Sequence, residues 1–269
     1  MNERAPAKVN LVLRVGPAGP DGMHELASLF ASLDLADQLT FEEAARDEVI
    51  CPGVEGENLA ARALAGFRAA GGDPPALRVT IEKRIPVAAG LGGGSADAAA
   101  VLRVAQRLSP LGDDALLDVA VALGSDVPSQ LRPGHAIVTG TGQRVAPVGL
   151  PPTALVLLPA ETGLSTAEVY AELDRLRPVA PPPGAGGLAD LAGGSLEALA
   201  AALENDLEPA AVALRPELSA ALADLRAADA LGARISGSGP TAFGLYPDRP
   251  SAERAAAQLP GALVAGVQG

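Results

Sequence analysis

The chain is poor in aromatic residues and in cysteine. Only 2% of its 269 residues are aromatic, and Trp is missing altogether. The one cysteine, Cys51, excludes an intrachain disulfide, and the sequence contains no CxxC or His-Cys cluster typical of a metal site. These absences fit a protein of the reducing cytosol, with a core filled by small aliphatic side chains.

Long apolar runs and clusters of positive charge are also missing. No apolar segment approaches the roughly 20 residues that a membrane span needs, and the N-terminal MNERAPAKVN has no apolar signal core. The net charge is -12 and the basic residues form no run, which argues against a nucleic-acid partner. We expect a soluble, cytoplasmic protein without membrane contact. The negative net charge does not exclude a small anionic ligand, because backbone N–H groups can hold one phosphate whatever the charge of the whole protein.

The composition indicates a globular protein with a real core. Hydrophobic residues make up 48% of the chain and charged residues 19%. The length favours two domains, and Pro151 and Pro152 place the predicted boundary near residue 150, giving domains 1–150 and 151–269. Residues 178–187, PVAPPPGAGG, are the most linker-like stretch, either an exposed, poorly ordered loop or a moving lid.

Hydrophobic periodicity predicts an alternation of strands and helices. Period-2 patterns predict half-buried strands, and recurrence at three- and four-residue steps predicts helices. Asp113 or Asp114 is the expected N-cap of one helix, and Gly124 its end. The predicted strands cover residues 8–15, 77–82, 154–158 and 241–246, and the predicted helices cover 98–108, 115–123, 195–204 and 217–230. The Gly- and Pro-rich stretch 139–148 is expected to be a loop.

Four glycines lie between a predicted strand and a predicted helix. Gly90, Gly92, Gly93 and Gly94 precede Ser95 in the segment KRIPVAAGLGGGSADAAA. Without Cβ atoms such a loop can turn its N–H groups toward an anion, and the dipole of the following helix favours negative charge. This predicts a phosphate cradle, with a flexible connection as the alternative. The segment is neither a Walker A sequence nor a GxGxxG fingerprint.

Phosphoryl transfer to an alcohol needs positive charge on the transferring group and a carboxylate near the hydroxyl proton. Lys8, on the polar face of its strand with Asn10, and Asp126, after a helix end, are candidates. Taken alone, a solvated lysine explains Lys8 better, and a turn or helix cap explains Asp126 better. Ser95 either caps its helix or faces phosphates, and Asn58 is also a good N-cap.

The glycine segment resembles the phosphate loop of the GHMP kinases. Further segments extend the resemblance over nearly the whole chain, namely APAKVNLVLRV, PDGMHELASLF, GSDVP and ISGSGP. Among these kinases, the order of motifs is most similar to those that phosphorylate a cytidine diphosphate alcohol in isoprenoid-precursor synthesis. The resemblance implies an α+β two-domain GHMP kinase fold, with an N-terminal domain like ribosomal protein S5 domain 2, a ferredoxin-like C-terminal domain and the active site between them.

The resemblance also implies a role for individual residues. Lys8 and Asp126 become the catalytic pair, and no metal ligand is expected from the protein. The predicted ATP-binding residues are Asn58, Gly90, Gly92, Gly93, Gly94 and Ser95, with Mg²⁺ arriving with the nucleotide. The predicted residues for the cytidine diphosphate alcohol are Asn10, His24, Tyr170, Gly237 and Gly239, although a plain turn between strands also explains the two glycines. The oligomeric state is open between a monomer and a weak dimer.

The sequence departs from the family pattern in two places. Met23 stands where the family usually has tyrosine, so one face of the expected cytosine sandwich lacks a ring. Ser129 and Gln130 stand where two phenylalanines are more common. The sequence leaves three alternatives: a kinase of homoserine or a mevalonate derivative, a catalytically silent nucleotide sensor, and an S5-like RNA-binding domain, which the acidic balance disfavours.

Overall fold

The fold consists of two β-sheets with helices packed on them. The structure, a computed structural model, describes residues 1–20, 22–54, 56–160, 162–177 and 182–267. The strands are β1 (Asn2–Ala18), β2 (His24–Glu43), β3 (Glu48–Ile50), β4 (Leu77–Glu82), β5 (Ala136–Gly140), β6 (Arg144–Pro147), β7 (Ala154–Leu158), β8 (Glu204–Asn205), β9 (Gly232–Ile235), β10 (Ala242–Tyr246) and β11 (Leu263–Gly266). The helices are α1 (Leu59–Ala69), α2 (Gly93–Leu108), α3 (Asp113–Leu123), α4 (Val127–Gln130), α5 (Thr166–Leu176), α6 (Leu188–Ala192), α7 (Leu196–Ala201), α8 (Glu208–Leu214), α9 (Leu218–Ala227) and α10 (Arg249–Ala256).

The first sheet is built around the long antiparallel pair β1 and β2. Its strand order is β3-β4-β2-β1-β8, and β5 pairs with the early part of β2 and with β6. Helices α1, α2 and α3 share one hydrophobic core with β4, in which α2 contributes mostly alanine side chains. Small side chains let helix backbones approach closely, so this core needs few aromatic rings.

The second sheet is entirely antiparallel, in the order β11-β7-β10-β9. Its strands follow one another as β7, helices, β9, β10, α10 and β11, which is the βαββαβ succession of a ferredoxin-like unit. Helices α5, α8, α9 and α10 share one core with this sheet. The α+β class and the ferredoxin-like arrangement predicted for the second half are confirmed.

Several element predictions were wrong in detail. The N-cap of α3 is Gly112, so Asp113 and Asp114 lie in its first turn, where their charge favours the helix dipole. Helix α7 ends at Ala201, and residues 204–205 form β8 because they pair with β1. The expected loop at 139–148 contains much of the β5–β6 hairpin.

Strand β1 differs from the predicted half-buried strand because both of its faces are covered. Every residue from Ala5 to Leu13 is buried, including Lys8 and Asn10. One face packs in the core, and the face that carries Lys8 is covered by the glycine loop, whose Leu91 carbonyl accepts the Lys8 backbone N–H at 3.0 Å. A solvated strand face, the simpler interpretation of Lys8, is excluded.

The predicted boundary near residue 150 falls between the hairpin and β7. The first sheet nevertheless takes β8 from the second half of the chain. An isolated bridge also pairs Leu33 with Val267. We keep the domains 1–150 and 151–269 as a proposal.

The linker-like stretch 178–187 lies partly outside the described residues, which exclude 178–181. In its described part, the carbonyls of Gly184 and Gly186 accept hydrogen bonds from Arg14 Nη1 at 2.9 and 3.2 Å. Across the described ranges, no helix combines the length and apolarity that a bilayer crossing requires.

Candidate functional site

A cavity of about 450 Å³ opens between the two halves, within the size range of small-molecule sites. The predicted site residues line it, except His24 and Gly239. Those two adjoin residues that line it: His24 packs against the Tyr170 ring, and a Cβ on Gly90 would lie 2.6 Å from the Gly239 carbonyl oxygen.

The glycine loop ends in a helix whose first amides have no side-chain cap. Gly92 is the N-cap of α2 with φ 71°, a left-handed conformation that favours glycine, and its carbonyl accepts the Ala96 N–H. The N–H groups of the first three helical residues therefore have no carbonyl partner within the helix. These residues are Gly93, Gly94 and Ser95, and all three line the cavity. The arrangement suits an anion.

Ser95 is the third residue of α2 and not its N-cap, so the capping interpretation of its hydroxyl was wrong. Gly94 leaves open space, because a Cβ added there would meet no atom within 4 Å. A Cβ on Gly93 would lie 3.1 Å from Ile85 Cγ2, so a larger side chain there would press on the core.

Lys8 lies under the loop and is only 5% exposed. Its Nζ donates to Asn10 Oδ1 at 2.7 Å, lies 3.2 Å from Asp126 Oδ2 and sits 4.6 Å from the centroid of the Phe30 ring. A Cβ on Gly92 would be 3.0 Å from Lys8 Cγ. The lysine stem therefore needs a glycine above it, and the ammonium is held by a carboxylate, an amide oxygen and a ring face.

Asp126 stands at the start of α4, with its side chain 28% exposed to the cavity side. The hairpin that sequence patterns missed supports this position, since a Cβ on Gly142 would be only 2.1 Å from the Ser125 carbonyl oxygen. Ser129 Oγ donates to the Asp126 carbonyl at 2.8 Å. The structure thus brings Lys8 and Asp126 together from distant parts of the chain.

The second glycine motif forms the turn between β9 and β10 and also closes the site. Ser236 Oγ donates to the Gly90 carbonyl at 3.0 Å, and a Cβ on Gly90 would lie 2.6 Å from the carbonyl oxygens of Ser236 and Gly239. A Cβ on Gly237 would be 3.3 Å from Asn10 Oδ1. The plain-turn interpretation is therefore incomplete, because the turn packs on the glycine loop.

Asn58 is a helix N-cap, as one of its two interpretations predicted, and its role in ATP binding stays a prediction. Its Oδ1 accepts the Ala60 N–H at 2.8 Å, which makes it the N-cap of α1. It also lines the cavity, near Cys51, whose thiol pKa is raised by burial. A raised pKa disfavours the thiolate, so Cys51 is not an activated nucleophile.

The far side of the cavity carries His24 and Tyr170. The centroids of the two rings are 4.8 Å apart, and the ring planes are inclined at 42°. His24 Nε2 lies 2.9 Å from Asp174 Oδ1. Burial and the charge of Asp126 raise the pKa of the Tyr170 phenol to about 12, so this ring stays neutral at physiological pH. Met23, which replaces the expected tyrosine, is 49% exposed.

Sequence patterns missed a buried charge cluster at the base of the glycine loop. Lys83 Nζ bonds Asp97 Oδ2 at 2.7 Å and also bonds Asp37, which in addition accepts the backbone N–H groups of Arg84 and Ile85. Burial raises the pKa of Asp97 to about 7, against the opposing effect of Lys83. Burial lowers the pKa of Lys83, but the two carboxylates outweigh it and raise that pKa. The sequence did contain a signal for Lys83, because Lys8 and Lys83 are the only two lysines of the chain. Both of them line the cavity.

Family comparisons match both halves of the chain. The model of the GHMP kinases N-terminal domain matches residues 58–134, and that of the GHMP kinases C-terminal domain matches residues 188–265. A 4-diphosphocytidyl-2-C-methyl-D-erythritol kinase from Anaeromyxobacter dehalogenans (strain 2CP-C) is 45% identical, over 98% of this chain and 87% of that protein.

Solved structures agree with the family match. The crystal structure of a 4-(cytidine 5'-diphospho)-2C-methyl-D-erythritol kinase has a TM-score of 0.83 and 39% identity, covering 100% of both chains. The structure of L. major mevalonate kinase in complex with R-mevalonate has a TM-score of 0.73 at 16% identity, covering 100% of this chain and 96% of that one. The second likeness shows a shared fold. The α+β two-domain GHMP kinase fold predicted from the sequence is confirmed.

Proposed function

Because this chain belongs to the GHMP kinases, and among them to the 4-diphosphocytidyl-2-C-methyl-D-erythritol kinases, we propose that it uses ATP to phosphorylate the 2-hydroxyl group of 4-diphosphocytidyl-2-C-methyl-D-erythritol. This reaction belongs to the non-mevalonate (methylerythritol phosphate) route to isoprenoid precursors. One observation carries the proposal: the buried Lys8 ammonium lies 3.2 Å from the Asp126 carboxylate, beside the bare amides that open α2.

We assign the nucleotide to the side of the cavity formed by the glycine loop. The amides of Gly93, Gly94 and Ser95 would hold the phosphates, with Gly90 and Gly92 shaping the loop and Asn58 near the adenine. Mg²⁺ would arrive with the nucleotide, whose phosphate oxygens are the hard ligands it prefers, and the Ser95 hydroxyl would face it. The ion supplies charge neutralisation on the transferring group.

The proposed transfer needs one bond to form and one to break. The acceptor hydroxyl oxygen attacks the γ-phosphorus, and the bond to the β-phosphate oxygen breaks as ADP leaves. Asp126 accepts the hydroxyl proton as the oxygen attacks. Lys8 holds the Asp126 carboxylate in place and places positive charge near the transferring group.

We assign the acceptor to the opposite side of the cavity. Tyr170 would stack on the cytosine, and Asn10 and His24 would contact the cytidine diphosphate group. Gly237 and Gly239 would let the second glycine turn approach the substrates closely. Met23 would cover the second face of the base without a ring.

The substrate assignment is tested by comparing three acceptors. ATP turnover should be measured separately with 4-diphosphocytidyl-2-C-methyl-D-erythritol, homoserine and mevalonate. We expect turnover with the first only. Turnover with homoserine or mevalonate alone would overturn the substrate assignment and leave the kinase assignment standing. We further propose a cytoplasmic location, in keeping with the acidic chain and its single half-buried cysteine.

A further inference from the structure

One face of α5 follows the wall of the cavity. Thr166, Tyr170 and Asp174 are spaced by four residues, which places them on one side of the helix. Thr166 Oγ1 lies 2.9 Å from Ser238 Oγ in the second glycine turn, Tyr170 lines the cavity, and Asp174 bonds His24. The same face therefore runs from the second glycine turn to His24.

The bond between Asp174 and His24 joins the two halves of the molecule. His24 is the first residue of β2 and is 9% exposed, whereas Asp174 lies on α5 of the second half. A carboxylate only accepts hydrogen bonds, so His24 Nε2 donates to Asp174 Oδ1 at 2.9 Å. In the neutral ring this leaves Nδ1 without a hydrogen. One carboxylate thereby selects both the tautomer and the orientation of the ring.

The orientation of His24 matters because its ring supports Tyr170. The two rings are in contact at 4.8 Å, and Met23 brings no second aromatic ring to this side of the site. Among the described residues that line the cavity, Phe30 and Tyr170 are aromatic, and the Phe30 ring already contacts the Lys8 ammonium, which leaves Tyr170 as the aromatic surface for a base. A ring that is already held in place binds a base without a further ordering cost.

We propose that Asp174 is a positioning residue of the acceptor site, which fixes His24 and through it the Tyr170 ring before the cytidine base binds. This inference rests on the proposed function, since it requires the base to meet Tyr170. Asp174 itself is not a catalytic residue. Its side chain is 49% exposed, so a substitution there should leave the fold intact.

The tautomer is the first measurement, and the chain makes it unusually clean because it contains only two histidines. His135 serves as the internal reference, since its Nδ1 accepts the Ser32 backbone N–H at 3.1 Å. Histidine ¹⁵N spectra of the wild type should show His24 in a single tautomer with hydrogen on Nε2. In Asp174→Ala that preference should be lost while the His135 signals stay in place. An unchanged His24 tautomer would overturn the positioning role.

Kinetics provide the second measurement. Asp174→Ala should raise the KM for 4-diphosphocytidyl-2-C-methyl-D-erythritol about 3- to 10-fold, with kcat and the KM for ATP within about twofold of wild type. Glu168→Gln, an exposed carboxylate on the same helix, is the matched control and should change neither constant. If Asp174→Ala kept the wild-type KM for the acceptor, the positioning role of Asp174 would be overturned and the proposed function would still stand. A wild-type chain that does not turn over this acceptor would overturn the proposed function, and the role with it.

Discussion

At the scale of single residues, the site is distinguished by where its lysines lie. The chain has 20 basic residues but only two lysines, Lys8 and Lys83, and each is paired with carboxylate at the cavity. Lysine offers a compact point charge, whereas the planar guanidinium of arginine suits bidentate pairing. A buried ammonium is costly unless it is paired, so both positions are consistent with function rather than solvation.

Lys8→Ala should lower kcat at least about 100-fold, because it removes the proposed electrostatic stabiliser of the transition state and the ammonium that pairs with Asp126. Steady-state kinetics at saturating ATP and acceptor would measure this. The unfolding midpoint of the variant should be recorded alongside, so that loss of fold is separated from loss of chemistry. A loss of less than about tenfold in a folded variant would contradict the role assigned to Lys8.

Asp97 should make stability depend on pH. Its pKa of about 7 lies above the value of about 3.9 expected in the unfolded chain, so the folded chain binds this proton more tightly. The resulting stabilisation is fully present below about pH 4 and is lost as pH rises through about 7. The free energy of unfolding, measured by urea titration between pH 5 and 8, should therefore fall relative to that of Asp97→Asn.

The difference between the unfolding free energies of the wild type and Asp97→Asn should change by no more than about 1.4 kcal/mol per pH unit, which is the limit for one proton. Asp118→Asn, an exposed aspartate of α3, is the control and should follow the wild-type profile. Parallel profiles for wild type and Asp97→Asn would show that Asp97 does not titrate in this range.

At the scale of elements, sequence patterns predicted β1, β4, β7, β10 and the body of α2, because their apolar periodicity is strong. They failed where pairing with a distant segment decided the structure. Glu204 became a strand residue because it lies beside Val12 of β1, and residues 136–140 and 144–147 formed a hairpin because β2 offered an edge. The pair of Lys83 and Asp37 was not predicted, because charged residues that are far apart in the sequence produce no periodic pattern when they pair in the fold.

Gly94→Ala tests the phosphate cradle without disturbing the fold. A Cβ at this position meets no atom within 4 Å, and alanine favours a helix over glycine by up to about 1 kcal/mol, so the thermal midpoint should stay or rise. The added methyl group would instead occupy the open space above the helix amides. We expect weaker ATP binding by calorimetry, by about tenfold or more, as expected when a methyl group crowds a bound anion.

Gly134→Ala is the matched control for this prediction. A Cβ on Gly134 also meets no atom within 4 Å, and this residue does not line the cavity. Its ATP affinity should equal that of the wild type. Unchanged affinity in Gly94→Ala as well would show that the phosphates do not lie over the start of α2.

At the scale of the whole molecule, side chains such as Arg14, which pairs with Glu204, join the two halves at the periphery, and the two glycine loops join them at the site. The Ala89 carbonyl accepts the Thr241 N–H at 3.3 Å, and the Gly90 carbonyl accepts the Ser236 hydroxyl at 3.0 Å. The length favoured two domains, the family resemblance implied the α+β class, and the ferredoxin-like half was confirmed. The contact between the two glycine loops could not be predicted from the sequence, because their close approach depends on both sheets being in place.

Gly90→Ala should therefore destabilise the whole molecule. Its φ is 74°, and a Cβ would lie 2.6 Å from two backbone oxygens of the second glycine turn. Left-handed strain and the clash together should lower the free energy of unfolding by about 2 kcal/mol or more. Urea unfolding would measure this, with Gly134→Ala as the reference. If Gly90→Ala were as stable as Gly134→Ala, the two glycine loops would be able to move apart with no loss of folding free energy.

Asp126→Asn is the decisive test of the proposal that Lys8 and Asp126 form the catalytic pair of an ATP-dependent kinase. The substitution preserves the size of the side chain and removes the carboxylate that is proposed to accept the proton of the acceptor hydroxyl. ATP binding measured by calorimetry should stay at the wild-type level, while kcat with 4-diphosphocytidyl-2-C-methyl-D-erythritol should fall at least about 100-fold. Wild-type turnover by a variant that still binds ATP would contradict the role assigned to Asp126.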